Sequence, residues 1–135
     1  MFVKKILLTG IATIGLSFSF LAHAQLVVSN QTNQPSTSRI NDGYCSTDIL
    51  GADGITPPHT TKPIEDWKID LACMGNYENC KADIYMTNNC TGPTISTVVF
   101  SKTSGIKYVS PPQAGYAITW QPFAITITGG AVASK

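Results

Sequence analysis

The stretch CMGNYENCKADIYMTNNC, residues 73–90, carries three of the chain's four cysteines. Its centre, Lys81 to Thr87, alternates in hydrophobicity, with Ala82, Ile84 and Met86 sharing one face. Period-two alternation marks a half-buried β-strand, and the Asn and Gly residues on either flank favour turns. The chain therefore reads as organised around a strand pinned near its ends by cysteines.

Downstream, strand signals recur at short intervals: Ile95 to Phe100, Ile106 to Val109, Tyr116 to Trp120 and Phe123 to Ile127. Thr91-Gly92-Pro93, Ser104-Gly105, Pro111-Pro112 and Gln121-Pro122 punctuate them as turns. Upstream, Leu26 to Val28 and Ser36 to Ile40 are weaker strands. The pattern predicts an all-β fold, an antiparallel β-sandwich of about six to eight short strands. Tyr108, Tyr116, Trp120 and Phe123 lie at alternating positions and are expected to fill its core.

Two segments depart from this rhythm. Asn41 to Lys62 contains Asp42-Gly43, Asp53-Gly54 and Pro57-Pro58 and reads as a long loop, extended through TPPHTTKP at 56–63. Pro63 to Cys73 fits both templates, since Ile64, Trp67 and Leu71 suit a helical stripe and Trp67, Ile69 and Leu71 suit a strand. The expectation is one helical turn near 63–67 followed by a strand.

Lys4 and Lys5, an apolar run from Ile6 to Leu21, and Ala22-His23-Ala24 form the three-part pattern of a secretory signal peptide with cleavage after Ala24. Removal of residues 1–24 leaves 111 of the 135 residues, the size of one domain, 25–135, ending in a loose tail at 131–135. No stretch of that part is apolar and long enough for a stable membrane span. Its seven basic and eight acidic residues are scattered. A nucleic-acid partner needs clustered Lys and Arg, and a lipid-surface helix needs a basic amphipathic face. The destination is the periplasm or the outside of the cell.

An exported chain with four cysteines is read as holding two disulfides. If residues 81–87 are extended, about 20 Å separates Cys80 from the turn at Asn88, far beyond disulfide reach. That disfavours Cys80–Cys90 and leaves Cys73–Cys80 with Cys45–Cys90. Cys45–Cys80 with Cys73–Cys90 stays open.

Catalytic signatures are sparse. His59 is the only histidine after the leader, and no Gly-x-Ser-x-Gly elbow accompanies it. Glu65, Asp66, Asp70 and Asp83 could supply a carboxylate pair for hydrolysis of an extracellular polymer. A helix N-terminus or a cross-strand Lys explains them equally well. Asp42, Asp48 and Asp53 are calcium-type ligands without EF-hand spacing, and no metal or cofactor is called for. Asn30-Gln31-Thr32 and Asn89-Cys90-Thr91 match the glycosylation sequon. Tyr44, Trp67 and Tyr77 sit in or beside loops. Buried, they cap the core, the commoner fate of such rings; exposed, they form with His59 a surface for an extracellular protein or carbohydrate.

The motifs INDGYC (40–45), CKADIYMT (80–87), NCTGP (89–93) and TSGIK (103–107) together resemble a group of small secreted proteins of unknown function from intracellular Gram-negative bacteria. The resemblance covers most of the chain after the leader and transfers no site residues. It implies export and a role at the host interface. The leading expectation is a non-enzymatic secreted binding protein that acts through the tethered early loop. A carboxylate hydrolase and a membrane-active β-sandwich are the alternatives.

Overall fold

The computed structural model describes residues 25–130. The expected signal peptide and the tail at 131–135 lie outside the described residues. The strands are β1 (Leu26–Gln31), β2 (Thr37–Ile40), β3 (Thr60–Ile64), β4 (Cys80–Tyr85), β5 (Thr94–Ser101), β6 (Gly105–Val109), β7 (Tyr116–Gln121) and β8 (Ala124–Gly129). Two short helices, α1 (Ser46–Leu50) and α2 (Asp66–Ala72), flank β3, and a turn of 3-10 helix (Gly51–Gly54) follows α1.

The strands form two four-stranded sheets, β3-β1-β8-β7 and β2-β4-β5-β6. Their facing sides supply the core, with Ile84, Val98, Phe100 and Ile106 from one and Ile125 and Ile127 from the other. The fold is thus the β-sandwich that alternation suggests, with one departure. β1 and β8 pair in parallel, Val28 opposite Ile125, so the first sheet is mixed. Parallel neighbours need a long crossover, and here that crossover is nearly the whole described chain.

The sheets are stitched at one side by the β7–β8 turn, where the Ile106 amide of β6 donates to the Pro122 carbonyl at 2.5 Å; the Val27 amide, within the turn's own sheet, donates to the Phe123 carbonyl at 2.9 Å. Gly105 makes the first contact feasible: at φ +92°, a Cβ there would stand 2.2 Å from the Pro122 carbonyl oxygen.

Local signals misled in three places. Residues 46–54 hold α1 and the 3-10 turn rather than loop, because one turn of helix is too short to show a period. The run at 60–64 is the edge strand β3, not an extended loop. An edge tolerates Pro63, and the inward Lys62, opposite Val28, blunts that edge against further pairing. Residues 66–72 are helix, not a helical turn followed by a strand.

The aromatic core is smaller than alternation implies. Phe123 packs edge-on against Phe100, ring centroids 6.2 Å apart, and Tyr116 is half-buried. Tyr108 and Trp120 are 52% and 41% exposed. For Tyr108 the cause is a bulge between Val99 and Phe100. Ile106 faces the inward Phe100 and Tyr108 the outward Val99, so the extra residue puts the two side chains on opposite faces.

Asn30 is fully buried. Its amide donates to the Gln34 and Thr56 carbonyls at 2.7 and 3.0 Å, and its oxygen accepts from the Thr32 amide and hydroxyl. That sequon is a structural clasp with no amide free for sugar.

Cys45 is bonded to Cys90 and Cys73 to Cys80, with Cα atoms 5.9 and 5.5 Å apart. Chain entropy gives about 4 kcal/mol for the longer link and about 2.5 for the shorter. Replacing both members of each pair by Ser is expected to lower urea-unfolding stability in that order. Gly105→Ala should cost on the order of 3 kcal/mol through strain and lost stitching; a change under 0.5 would disprove the close approach.

Candidate functional site

α2 begins after Glu65, whose backbone is extended, and carries Asp66 in its first turn, where the helix dipole favours an acid. Its polarity is inverted. A surface helix ordinarily buries its large apolar residues; here Lys68 and Ile69 are buried. Trp67, Leu71, Met74 and Tyr77 are 56%, 42%, 68% and 39% exposed. Trp67 and Leu71 lie one turn apart on the same face, and Met74 continues the stripe past the helix end. The Tyr77 hydroxyl stands 3.5 Å from the Asp70 carbonyl oxygen, which lays the ring beside the helix.

Two lysines frame this face. Lys68 Nζ reaches Glu65 at 2.9 Å and Asp53 at 3.4 Å and lies 5.5 Å from the centre of the Trp67 ring. Lys102 pairs with Asp70 and lies 5.7 Å from the Tyr77 ring centre. Each ring thus has one face toward a cation, a geometry that favours a fixed ring position. The hydrogen bond to Glu65 is the main cause holding Lys68 above the ordinary lysine pKa; that to Asp70 does the same for Lys102. Lys62, donating to the Asp53 and Ile55 carbonyls, is lowered by burial.

The four ring residues singled out by sequence do not form one group. Trp67 lies on α2 and Tyr77 beside it, both exposed, against the expectation that such rings cap the core. Tyr44 is exposed as well, but sits beside Cys45, at the β2–α1 connection. His59, at φ +54°, makes a 2.6 Å hydrogen bond with the Asn33 side chain. Leu71, which the sequence offers with Trp67 as part of a helical stripe but not as a site residue, and Met74, absent from the sequence candidates, join the stripe. Their spacing from Trp67, four and seven residues, is the signal for them.

The carboxylates named below are held by lysines, a hydroxyl or a backbone amide. Glu65 and Asp53 clasp Lys68, Asp70 holds Lys102, and Asp42 holds Lys81 at 2.8 Å. Asp83 accepts from the Thr97 hydroxyl at 2.6 Å. Asp48 accepts the Cys45 amide at the start of α1. Among the described residues, no three His, Cys, Asp or Glu side chains gather as a metal site. No helix among them is long and apolar enough to cross a membrane.

A family model described as "T2SS substrate NttC" matches residues 2–130. Among solved structures, the chain is similar to the type II secretion system substrate NttC of Legionella pneumophila. The two are 26% identical over 81% of this chain and 100% of that one, with a TM-score of 0.64. No curated protein matches.

If the stripe is a surface and not a packing element, Trp67→Ser, Leu71→Ser and Met74→Ser should each change stability by no more than about 0.5 kcal/mol. Ile69→Ala, two residues from both Trp67 and Leu71, should cost about 3. Equal costs by chemical denaturation would place the stripe inside the fold. Because Lys68 is raised in the folded state, its stabilisation is complete below the unfolded lysine pKa and lost as pH rises through the folded one. The stability gap between wild type and Lys68→Met should therefore close at alkaline pH.

Proposed function

We propose that this chain, which belongs to the family of the T2SS substrate NttC, is itself exported and acts as a non-enzymatic binding protein. Its partner is an extracellular protein or carbohydrate met at the host interface. The single observation that carries the reading is the exposed Trp67–Leu71–Met74–Tyr77 stripe on α2. Exposed apolar residues are ordinary when scattered, but grouped on one element they mark interaction surfaces. Aromatic and Met side chains are also those enriched at interface centres.

Export supports the same reading. The match to the family begins at residue 2 and so includes the stretch that reads as a signal peptide. Passage through an oxidising periplasm supplies the setting in which Cys45–Cys90 and Cys73–Cys80 form. A disulfide at the end of α2 then fixes the stripe before a partner is met, which reduces the ordering cost of binding.

Two measurements test the two halves. Mass analysis of protein from culture medium should find a chain starting at Gln25 with all four cysteines oxidised, and none in the medium of a strain lacking type II secretion. Binding of this mature protein to host surface glycoprotein should fall at least tenfold in Trp67→Ala/Tyr77→Ala, with unfolding midpoint retained. Unchanged binding by that double variant would refute the stripe as the contact surface.

A further inference from the structure

The inner face of α2 roofs a cavity of about 160 Å³ between the two sheets. Its walls are branched aliphatics of both sheets, among them Val28, Ile84, Val98 and Ile125, with Leu50 of α1 and Ala72 of α2 at the helical end. Asp53 also lines that end, and its side chain is two-thirds exposed (66%), so the cavity opens to water there. Ile127, at 1% exposure, is the most deeply buried of the lining side chains, and Ile106 is buried as well.

Close-packed interiors hold few voids larger than a water molecule. An apolar cavity of about 150 Å³ stays dry and takes up benzene, so a hydrocarbon of about six carbons fits this one by size. A dry void also forfeits the dispersion contacts of its walls, and an occupant would restore them.

The mouth narrows the class. Lys68 and Lys62 balance the charges of Glu65 and Asp53 there, and Lys62 Nζ is held by two backbone carbonyls. These four side chains leave no net charge to select a charged head. The rim is fixed, since the Ser46 hydroxyl donates to the Gly54 carbonyl at 2.6 Å. A Cβ on Gly54 would collide with the Ser46 backbone. A fixed mouth opening onto the gap between two sheets suits an unbranched chain entering end-on.

We propose that the inter-sheet cavity binds a linear aliphatic chain of about six carbons, tail toward Ile127 and polar end at Asp53. The site lies on the opposite face of α2 from the stripe and does not depend on the stripe's function. The shared chemistry is the tail, whether it comes from a free small molecule or from a membrane lipid.

The test uses mature, oxidised protein with 1-hexanol as probe, followed by methyl-resolved NMR. Saturable one-to-one binding with hexanol contacts to the Ile125 and Ile127 methyls is expected. Ala82→Leu and Ala72→Leu, which fill the cavity from β4 and from α2, should each weaken it at least tenfold. Binding unaltered in both folded variants, or no methyl contact in wild type at saturating hexanol, overturns the proposal. If neither variant folds, the wild-type methyl contacts decide alone. Co-sedimentation with phosphatidylcholine vesicles that is lost in the filled variants assigns the tail to a lipid; hexanol binding without co-sedimentation assigns it to a free aliphatic. Loss of stripe binding in Trp67→Ala/Tyr77→Ala with hexanol uptake intact would separate the two sites.

Discussion

Seven residues of helix have to be held over the open side of a sandwich, and the Cys73–Cys80 bond is what holds them. Isolated helices of this length do not persist in water. α2 survives because Cys73, which caps its C-terminus, is bonded to the first residue of β4, a strand flanked on both sides within its sheet. The Asp70–Lys102 pair ties its middle to the β5–β6 turn, and the Lys68 clasp ties its start to the 3-10 turn. Remove the disulfide and what remains is the burial of Ile69 and ion pairs with exposed carboxylates, individually weak.

The second disulfide acts at longer range. Cys45 opens α1, and Cys90 lies in the turn after β4 at φ +57°. Its amide donates to the Thr37 hydroxyl at 3.0 Å, which in turn donates to the Thr87 carbonyl at 2.9 Å. The bond thus reinforces a turn already fixed to β2 and brings α1 against α2. Both disulfides serve the helical side of the sandwich. The opposite side is stitched by the backbone alone, through Gly105 and Pro122.

The sandwich was legible because β4 to β8 keep their period and their punctuation. What failed to show was anything decided by neighbours distant in sequence. Alternation says that Ile106 and Tyr108 share a face; a bulge at Lys107 of β6 reverses that, and Lys107 carries no local mark of it. Pro63 reads as a loop residue until β3 is known to lie at an edge. The segment 66–72 misled for another reason: Trp67 and Leu71 looked like core because large apolar side chains usually are, so a strand that buried them was the natural choice. The rings at Trp67 and Tyr77 are candidates by residue type and Leu71 by helical spacing, whereas the outward direction of the stripe and the place of Met74 on it follow only from the folded helix.

That inversion bears on function. To bury Lys68 and expose Trp67 and Leu71 runs against the hydrophobic effect at each position, since each large apolar side chain forgoes about 1.5–3 kcal/mol of burial. The Lys68 ammonium is accompanied by Glu65 and Asp53, whose carboxylates stay half to two-thirds exposed. The combination of an inward lysine on one face of the helix and uncovered apolar surface on the other is what the proposed binding role rests on. The outward Trp67 and Leu71 are the residues that a partner would have to cover.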